Sequence, residues 1–462
     1  MKVFMLGWEF PPFISGGLGT ACFGLTRAMD KLGTQVIFIL PHPVTDATAS
    51  HVALRSPATL SEEEIAEIEE GEEVEPPAGA GFRHIRFRRV AAMLEPYARP
   101  EGEPGGGEAT LAVAGAAGAA ARASAEVRRH AAGESPQGGG SKPGVAAGGH
   151  YSGDLFAEAE RYARAAVRLA RRESFDVVHA HDWMTFPAGI AVARDTGRPL
   201  VVHVHSTEFD RSGLHVNQRI YDIERAGMHA ATRVIAVSHL TRTIVEHRYG
   251  VNGSKVEVVY NAIDDDTNGR PAREAAPIRS DEKIVLFMGR ITMQKGPEFF
   301  LAAAKRVLEV ESNVRFIMAG SGDMAKRMIE LAESMGIGDR VTFTGFLRGA
   351  DVHRVFQMAD LYVMPSVSEP FGIAPLEALS NDVPVLISKQ SGVAEILTHA
   401  LKVDFWDVDE MANKIVAVLR HPPLRNTLRE HGSFEIRQLS WTDSAARCLE
   451  VYTAAIAAFE RR

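Results

Sequence analysis

The chain has 462 residues, which is too long for one ordinary hydrophobic core and suits two or three domains. Its formal charge of −8 gives no reason to expect a nucleic-acid partner and disfavours tight binding to anionic membranes. Two cysteines exclude a disulfide framework or a cysteine-rich zinc cluster. The first residues lack the apolar region of a signal peptide. The sequence contains no run of 18 apolar residues, so we expect no stable insertion into a membrane. We therefore expect a cytoplasmic enzyme.

The chain begins with a strand–loop–helix–strand pattern. Strands are predicted at residues 3–6 and 35–40, and an amphipathic helix is predicted between them. This order is typical of the start of a doubly wound parallel sheet. The glycine-rich loop before the helix includes Gly17 and Gly19, whose backbone N–H groups can approach a pyrophosphate; a plain turn fits the same residues about as well.

A low-complexity segment interrupts the pattern. We predict an insertion over residues 44–150, in which the string HIRFRRV has the composition of a strand. Glycine and alanine supply 27 of the residues at 101–150. Such a composition buries too little apolar surface to offset its ordering entropy, so residues 101–149 are predicted to be disordered.

Two buried strands then end in polar side chains. The string FDVVHAHDW carries His181 and Asp182 to the end of one strand, and VVHVHS carries His205 to the end of the next. In open α/β sheets the carboxyl ends of the strands face the ligand crevice. Four histidines in these strings invite a zinc interpretation. Their i, i+2 spacing predicts that they alternate between strand faces, and we therefore expect no metal.

The second half repeats the strand–helix order after a polar linker at residues 264–283. Arg290 and Lys295 fall between a predicted strand end and a helix start, where they suit a diphosphate. The string PSVSEPFGIAPLEAL predicts a strand end, a tight loop carrying Glu369, and a helix opening near Ile373 that carries Glu377. Two carboxylates placed in this way can grip two parts of one ligand, although an exposed loop glutamate and a helix-favouring glutamate would give the same pattern.

Together these strings resemble a known family. E-P-F-G-x-x-P-L-E-A-L, R-x4-K, H-A-H-D-W and V-H-V-H-S are similar to motifs of the retaining, nucleotide-sugar-dependent GT-B glycosyltransferases, closest to the glycogen and starch synthase group within group 1 and family 4. The resemblance implies an α/β fold with two Rossmann-like, doubly wound domains facing across a cleft. The implied boundaries are 1–265 on the acceptor side, 266–440 on the nucleotide-sugar side, and 441–462 as a helix crossing back to the first domain.

The resemblance also implies a role for each site residue. Glu369 and His205 would face the donor sugar, and Arg290 and Lys295 would hold the diphosphate in place of a metal. The remaining donor contacts would come from Gly17, Gly19, Gly372, Ile373 and Glu377, and the acceptor contacts from His181 and Asp182.

The expected activity is transfer of glucose from UDP- or ADP-glucose to an α-glucan, without cofactor or metal. A small sugar, a sugar phosphate or a lipid-linked sugar as acceptor would keep the same chemistry. A phosphorylase shares the architecture and would need a pyridoxal-phosphate lysine. A non-catalytic glucan-binding protein would have no use for Arg290, Lys295, Glu369 and Glu377 together.

Overall fold

The computed structural model describes residues 1–10, 16–42, 73–74, 84–91, 153–263 and 282–461. Its strands form two sheets. The first sheet contains β1 (Lys2–Leu6), β2 (Gln35–His42), β3 (Glu73–Val74), β4 (Ile85–Ala91), β5 (Val177–His181), β6 (Leu200–Val204), β7 (Arg233–Ala236) and β8 (Val256–Val258). The second contains β9 (Lys283–Met288), β10 (Val314–Ala319), β11 (Val341–Gly345), β12 (Leu361–Met364), β13 (Val385–Ser388) and β14 (Leu401–Val403).

Helices cover both sheets. In the first half they are α1 (Gly17–Lys31), α2 (Gly153–Ala170), α3 (Phe186–Thr196), α4 (Glu208–Ser212), α5 (Gln218–Ala230) and α6 (His239–Tyr249). In the second half they are α7 (Pro297–Leu308), α8 (Ala325–Ser334), α9 (Ala350–Met358), α10 (Ala374–Ser380), α11 (Val408–Arg420), α12 (Pro422–Ile436) and α13 (Trp441–Glu460). None of the helices in the described parts of the chain is long and apolar enough to cross a membrane.

Both sheets have a doubly wound order. The first runs β3-β4-β2-β1-β5-β6-β7-β8 and the second β11-β10-β9-β12-β13-β14. Only the β3–β4 pair is antiparallel among the described strands. β1, β5 and β6 are almost entirely buried, as expected for central strands of a parallel sheet covered on both faces. The predicted fold class, two Rossmann-like domains, is confirmed.

The strands β3 and β4 fall inside the predicted 44–150 insertion, and β4 extends the first sheet by pairing with β2. Residues 101–149 lie outside the described part of the chain, so their predicted disorder stays a prediction. The same is true of the domain boundary near 265, because residues 264–281 are not described.

The last helix returns to the first domain, as predicted. Trp441, Cys448 and Tyr452 of α13 belong to the same buried core as β1, β5 and β6. A Cβ atom at Gly24 of α1 would stand 2.2 Å from Cε2 of Trp441, so only glycine permits this close approach. The contact ties the chain's end to its first helix.

Candidate active site

The loop after β12 places Glu369 beside Lys295. Glu369 is 7% exposed. Its Oε2 lies 2.5 Å from Nζ of Lys295 and accepts a 3.0 Å hydrogen bond from the hydroxyl of Ser366. The carboxylate and the ammonium therefore neutralise each other, although they are 74 positions apart in the chain.

The backbone of this loop is fixed on both sides of Glu369. Its N–H donates to the carbonyl of Gln390, and its carbonyl accepts from the N–H of Gly392, both at 2.9 Å. Gly372 has a φ of 103°, and a Cβ there would lie 3.2 Å from Cγ of Glu369. Glycine is therefore needed for the turn that separates Glu369 from α10.

Glu377 lies in the first turn of α10, after Ile373 at its N-cap. Burial raises the pKa of its carboxyl. Within the described residues its side chain has no hydrogen-bond partner, in contrast to Glu369, so the carboxylate has its full capacity to accept hydrogen bonds from a ligand.

Arg290 and Lys295 follow β9, as the sequence predicted. Lys295 ends a 3₁₀ turn, Met293–Lys295, directly before α7. Burial raises the pKa of Glu9, which follows β1 in the first domain, and the positive charge of Arg290 offsets part of that rise. Arg290 therefore lies near Glu9 of the first domain.

Direct contacts hold the Glu369 loop against the first domain. The hydroxyl of Ser368 donates to Oδ1 of Asp210 at 2.6 Å. Asp210 belongs to α4, which begins three residues after His205. The Ser238 hydroxyl, at the N-cap of α6, donates to the carbonyl of Pro370 at 2.6 Å. These bonds bring Glu369 and the strand end that carries His205 to the same cleft.

Asp182 forms hydrogen bonds to the backbone just after β6. Its backbone φ is 58°, a conformation that aspartate adopts more readily than most residues. Its Oδ1 accepts from the N–H of His205 at 2.7 Å and of Ser206 at 3.3 Å. Burial raises the pKa of Asp182 to about 7, against the lowering effect of nearby Arg211. The carboxylate of Asp182 therefore orients the backbone of His205. The sequence predicted Asp182 only as an acceptor contact and did not indicate this second role.

The histidines lie closer together than we predicted. Side chains at i and i+2 of a strand share a face, so the prediction that these histidines alternate between faces was wrong. The ring centroids of His179 and His181 are 4.2 Å apart, and those of His203 and His205 are 4.1 Å apart. Nδ1 of His181 lies 2.9 Å from Nε2 of His205. Burial lowers the pKa of all four rings, so they are neutral at pH 7.

The glycine-rich loop packs against a buried acidic side chain of the first domain. The carboxylate of Glu9, which is 5% exposed, lies against this loop: a Cβ at Gly16 would stand 2.3 Å from its Oε1. Gly17 is exposed, with open space where a Cβ would stand. The predicted donor contacts of Gly17 and Gly19 stay predictions. Sequence reasoning missed Glu9; its position just after β1 is the one signal that marked it.

Glu9 makes stability depend on pH. Burial raises its pKa from 4.5 to about 7. Because the folded-state pKa is the higher one, the contribution of this group is complete below pH 4.5 and is lost as the pH rises through 7. We expect Glu9→Gln to gain roughly 2–3 kcal/mol in free energy of unfolding, relative to wild type, between about pH 5 and pH 8.

Urea unfolding at several pH values measures this difference. Glu460→Gln, which removes an exposed carboxylate at the end of α13, is the matched control and should show no such trend. A difference between Glu9→Gln and wild type that stays flat with pH would contradict the buried-acid interpretation.

Three family models match the chain. Residues 270–433 match "Glycosyl transferases group 1", residues 115–267 match "Glycosyltransferase Family 4", and residues 2–93 match "Starch synthase catalytic domain". An uncharacterized glycosyltransferase of Methanocaldococcus jannaschii is 32% identical over 300 residues, which cover 62% of this chain and 76% of that protein. The D-inositol 3-phosphate glycosyltransferase of Mycolicibacterium smegmatis is 30% identical, over 62% of this chain and 69% of that protein.

Solved structures share the fold. Sucrose-phosphate synthase from Thermosynechococcus elongatus superposes with a TM-score of 0.70 at 18% identity and covers 99% of both chains. Anabaena HepE, solved in complex with UDP-glucose, gives a TM-score of 0.66 at 17% identity over 98% of this chain and 100% of that one. The candidate site lies between the two domains, and the chain is an enzyme that belongs to the GT-B glycosyltransferases, with a group 1 glycosyltransferase domain in its second half.

Proposed function

We propose that this glycosyltransferase moves a glucosyl unit from a nucleotide sugar to a carbohydrate hydroxyl, with retention of the α-configuration. The observation that carries the proposal is the 2.6 Å bond from Ser368 to Asp210. It joins the loop of Glu369 to the helix that follows His205, so both proposed sugar-facing groups border one cleft. The donor sugar would lie between them.

The diphosphate of the donor would lie between Arg290 and Lys295, at the start of α7. Negative charge builds on this group as the bond to the anomeric carbon breaks, and fixed cations stabilise that state more than the ground state. Because Arg290 and Lys295 supply this charge, we infer that the diphosphate needs no metal ion.

Donor binding would change the partner of Lys295. In the structure its ammonium pairs with Glu369. A diphosphate brings at least two negative charges, so it competes for the ammonium and releases the carboxylate. Glu369 would then be free to stabilise positive charge near the anomeric carbon, while Glu377 accepts from the ribose hydroxyls. The backbone of Gly372 and Ile373 would contact the sugar or a phosphate.

The acceptor we favour is an α-glucan. The starch synthase match over residues 2–93 supports this choice. Charge supports it too, because Arg211, which lies next to Ser206, pairs with both Glu208 and Glu224 and has little charge to offer an acceptor phosphate. A sugar-phosphate acceptor is the second candidate, since several relatives are named D-inositol 3-phosphate glycosyltransferases and one structural neighbour is a sucrose-phosphate synthase.

A matrix of donors and acceptors separates these candidates. Purified protein is mixed with UDP-, ADP- or GDP-glucose and with maltooligosaccharide, a hexose phosphate or inositol 3-phosphate, and the released nucleoside diphosphate is measured. Acceptor-dependent release with maltooligosaccharide supports the glucan proposal. Release with a phosphorylated acceptor alone would replace it with the second candidate.

The stereochemistry is predicted separately. We expect the first product formed from an α-linked donor to keep an α-linkage, because the resemblance places Glu369 beside the donor sugar as a charge-stabilising group. The anomeric coupling constant in an NMR spectrum, recorded before any equilibration, measures the outcome. A β-linked product would overturn the retaining mechanism and leave the glycosyltransferase family unaffected.

A further inference from the structure

Three histidines form a buried cluster beneath the candidate site. His179 and His181 lie on β5 and His203 lies on β6, where the register pairs His181 with His203. Their side chains are 0%, 0% and 2% exposed. Each ring offers one nitrogen to a group of three such atoms that all lie within 4.8 Å of one another.

The cluster contains unsatisfied polar atoms. Among the described residues, no hydrogen-bond partner is found for Nε2 of His179, Nε2 of His181 or either ring nitrogen of His203. A buried polar nitrogen without a partner destabilises the folded state. Several such atoms at one place in the core call for a partner that the protein chain does not supply.

In two of the three rings the Nδ1 atom already has a hydrogen-bond partner. Nδ1 of His179 lies 2.6 Å from the hydroxyl of Tyr452, and Nδ1 of His181 lies 2.9 Å from Nε2 of His205. A histidine that donates its Nδ1–H outward carries its lone pair on Nε2. This is the arrangement of metal-binding histidines, whose second ring nitrogen is almost always fixed by a hydrogen bond.

We infer that His179, His181 and His203 bind one divalent transition-metal ion, with zinc the best match to three neutral imidazoles. Zn–N bonds of about 2.0–2.1 Å place tetrahedral ligand atoms about 3.4 Å apart, so the rings move together on binding. The metal fastens β5 to β6 below His205 and, through Tyr452, to α13. The three rings fill three positions of a tetrahedral zinc, and a water molecule would fill the fourth. The site is separate from the diphosphate and does not rest on the proposed transfer reaction.

The test uses the full chain, purified through an affinity tag without histidine and refolded with Zn²⁺ or Co²⁺, because the cluster is buried. We expect close to one metal per chain by elemental analysis after dialysis against EDTA. The Co²⁺ form should show the visible absorption of a tetrahedral site. X-ray absorption of the Zn²⁺ form should show imidazole nitrogens at about 2.0–2.1 Å.

Variants locate the metal. His203→Asn should reduce its content to background, whereas His229→Asn, which changes an exposed histidine of the same domain, should leave it unchanged. If His203→Asn fails to fold, the number of imidazoles in the wild-type absorption spectrum decides. Wild-type protein without metal after refolding, or metal retained by a folded His203→Asn, would overturn the inference.

Discussion

Arg290→Ala and Lys295→Ala should each lower kcat about a hundredfold or more, which corresponds to roughly 3 kcal/mol of lost transition-state stabilisation. Both cations follow β9, where a diphosphate would lie, and the charge on this leaving group grows as the sugar departs. Losing both should cost less than the sum of the two single losses, because the cations serve one charge.

Steady-state kinetics on the two single variants and the double variant test this result, and thermal unfolding confirms that each variant is folded. Arg306→Ala is the control: this exposed arginine of α7 pairs with Glu309 and Asp409 on the surface, so its loss should change stability by no more than about 0.5 kcal/mol and leave kcat unchanged. Turnover near wild type in both single variants would remove the main support for a diphosphate donor.

Glu369→Gln should separate catalysis from donor binding. We expect kcat to fall about a hundredfold, since the amide cannot stabilise positive charge near the anomeric carbon. Binding of the free nucleoside diphosphate should be as tight as in wild type or tighter, because the substitution releases Lys295 from its 2.5 Å ion pair. Calorimetric titration with UDP or ADP gives the affinity, and single-turnover kinetics gives the rate.

Glu377→Gln is the matched control, since it changes the other carboxylate of the same loop and helix. Its side chain has no partner among the described residues, and its proposed ligand is the ribose. We expect Glu377→Gln to weaken donor binding and to lower kcat less than Glu369→Gln does. The main effect would then be on affinity, whereas the main effect of Glu369→Gln would be on kcat. Equal effects of the two variants on kcat and on affinity would contradict the separate roles.

The fold class was predictable from the sequence alone. Short apolar runs such as residues 200–204 and 361–364 were located correctly because a central parallel strand is buried on both faces and has few compatible alternatives. The carboxyl ends of parallel strands meet at one edge of a sheet, so motifs that directly follow such strands had to lie near the cleft. For this reason the sequence could predict that Arg290, Lys295 and Glu369 lie near the cleft.

The pairings within the site were decided by the tertiary structure. The bonds of Lys295 to Glu369 and of Ser368 to Asp210 join residues 74 and 158 positions apart, and no local pattern encodes such partners. Glu9 belongs to no recognisable motif, because its raised pKa results from burial against the glycine-rich loop. The histidine cluster needed the register between β5 and β6 and the return of α13. Local sequence determines on which face of a strand or helix a side chain lies, whereas long-range packing determines which residues contact it.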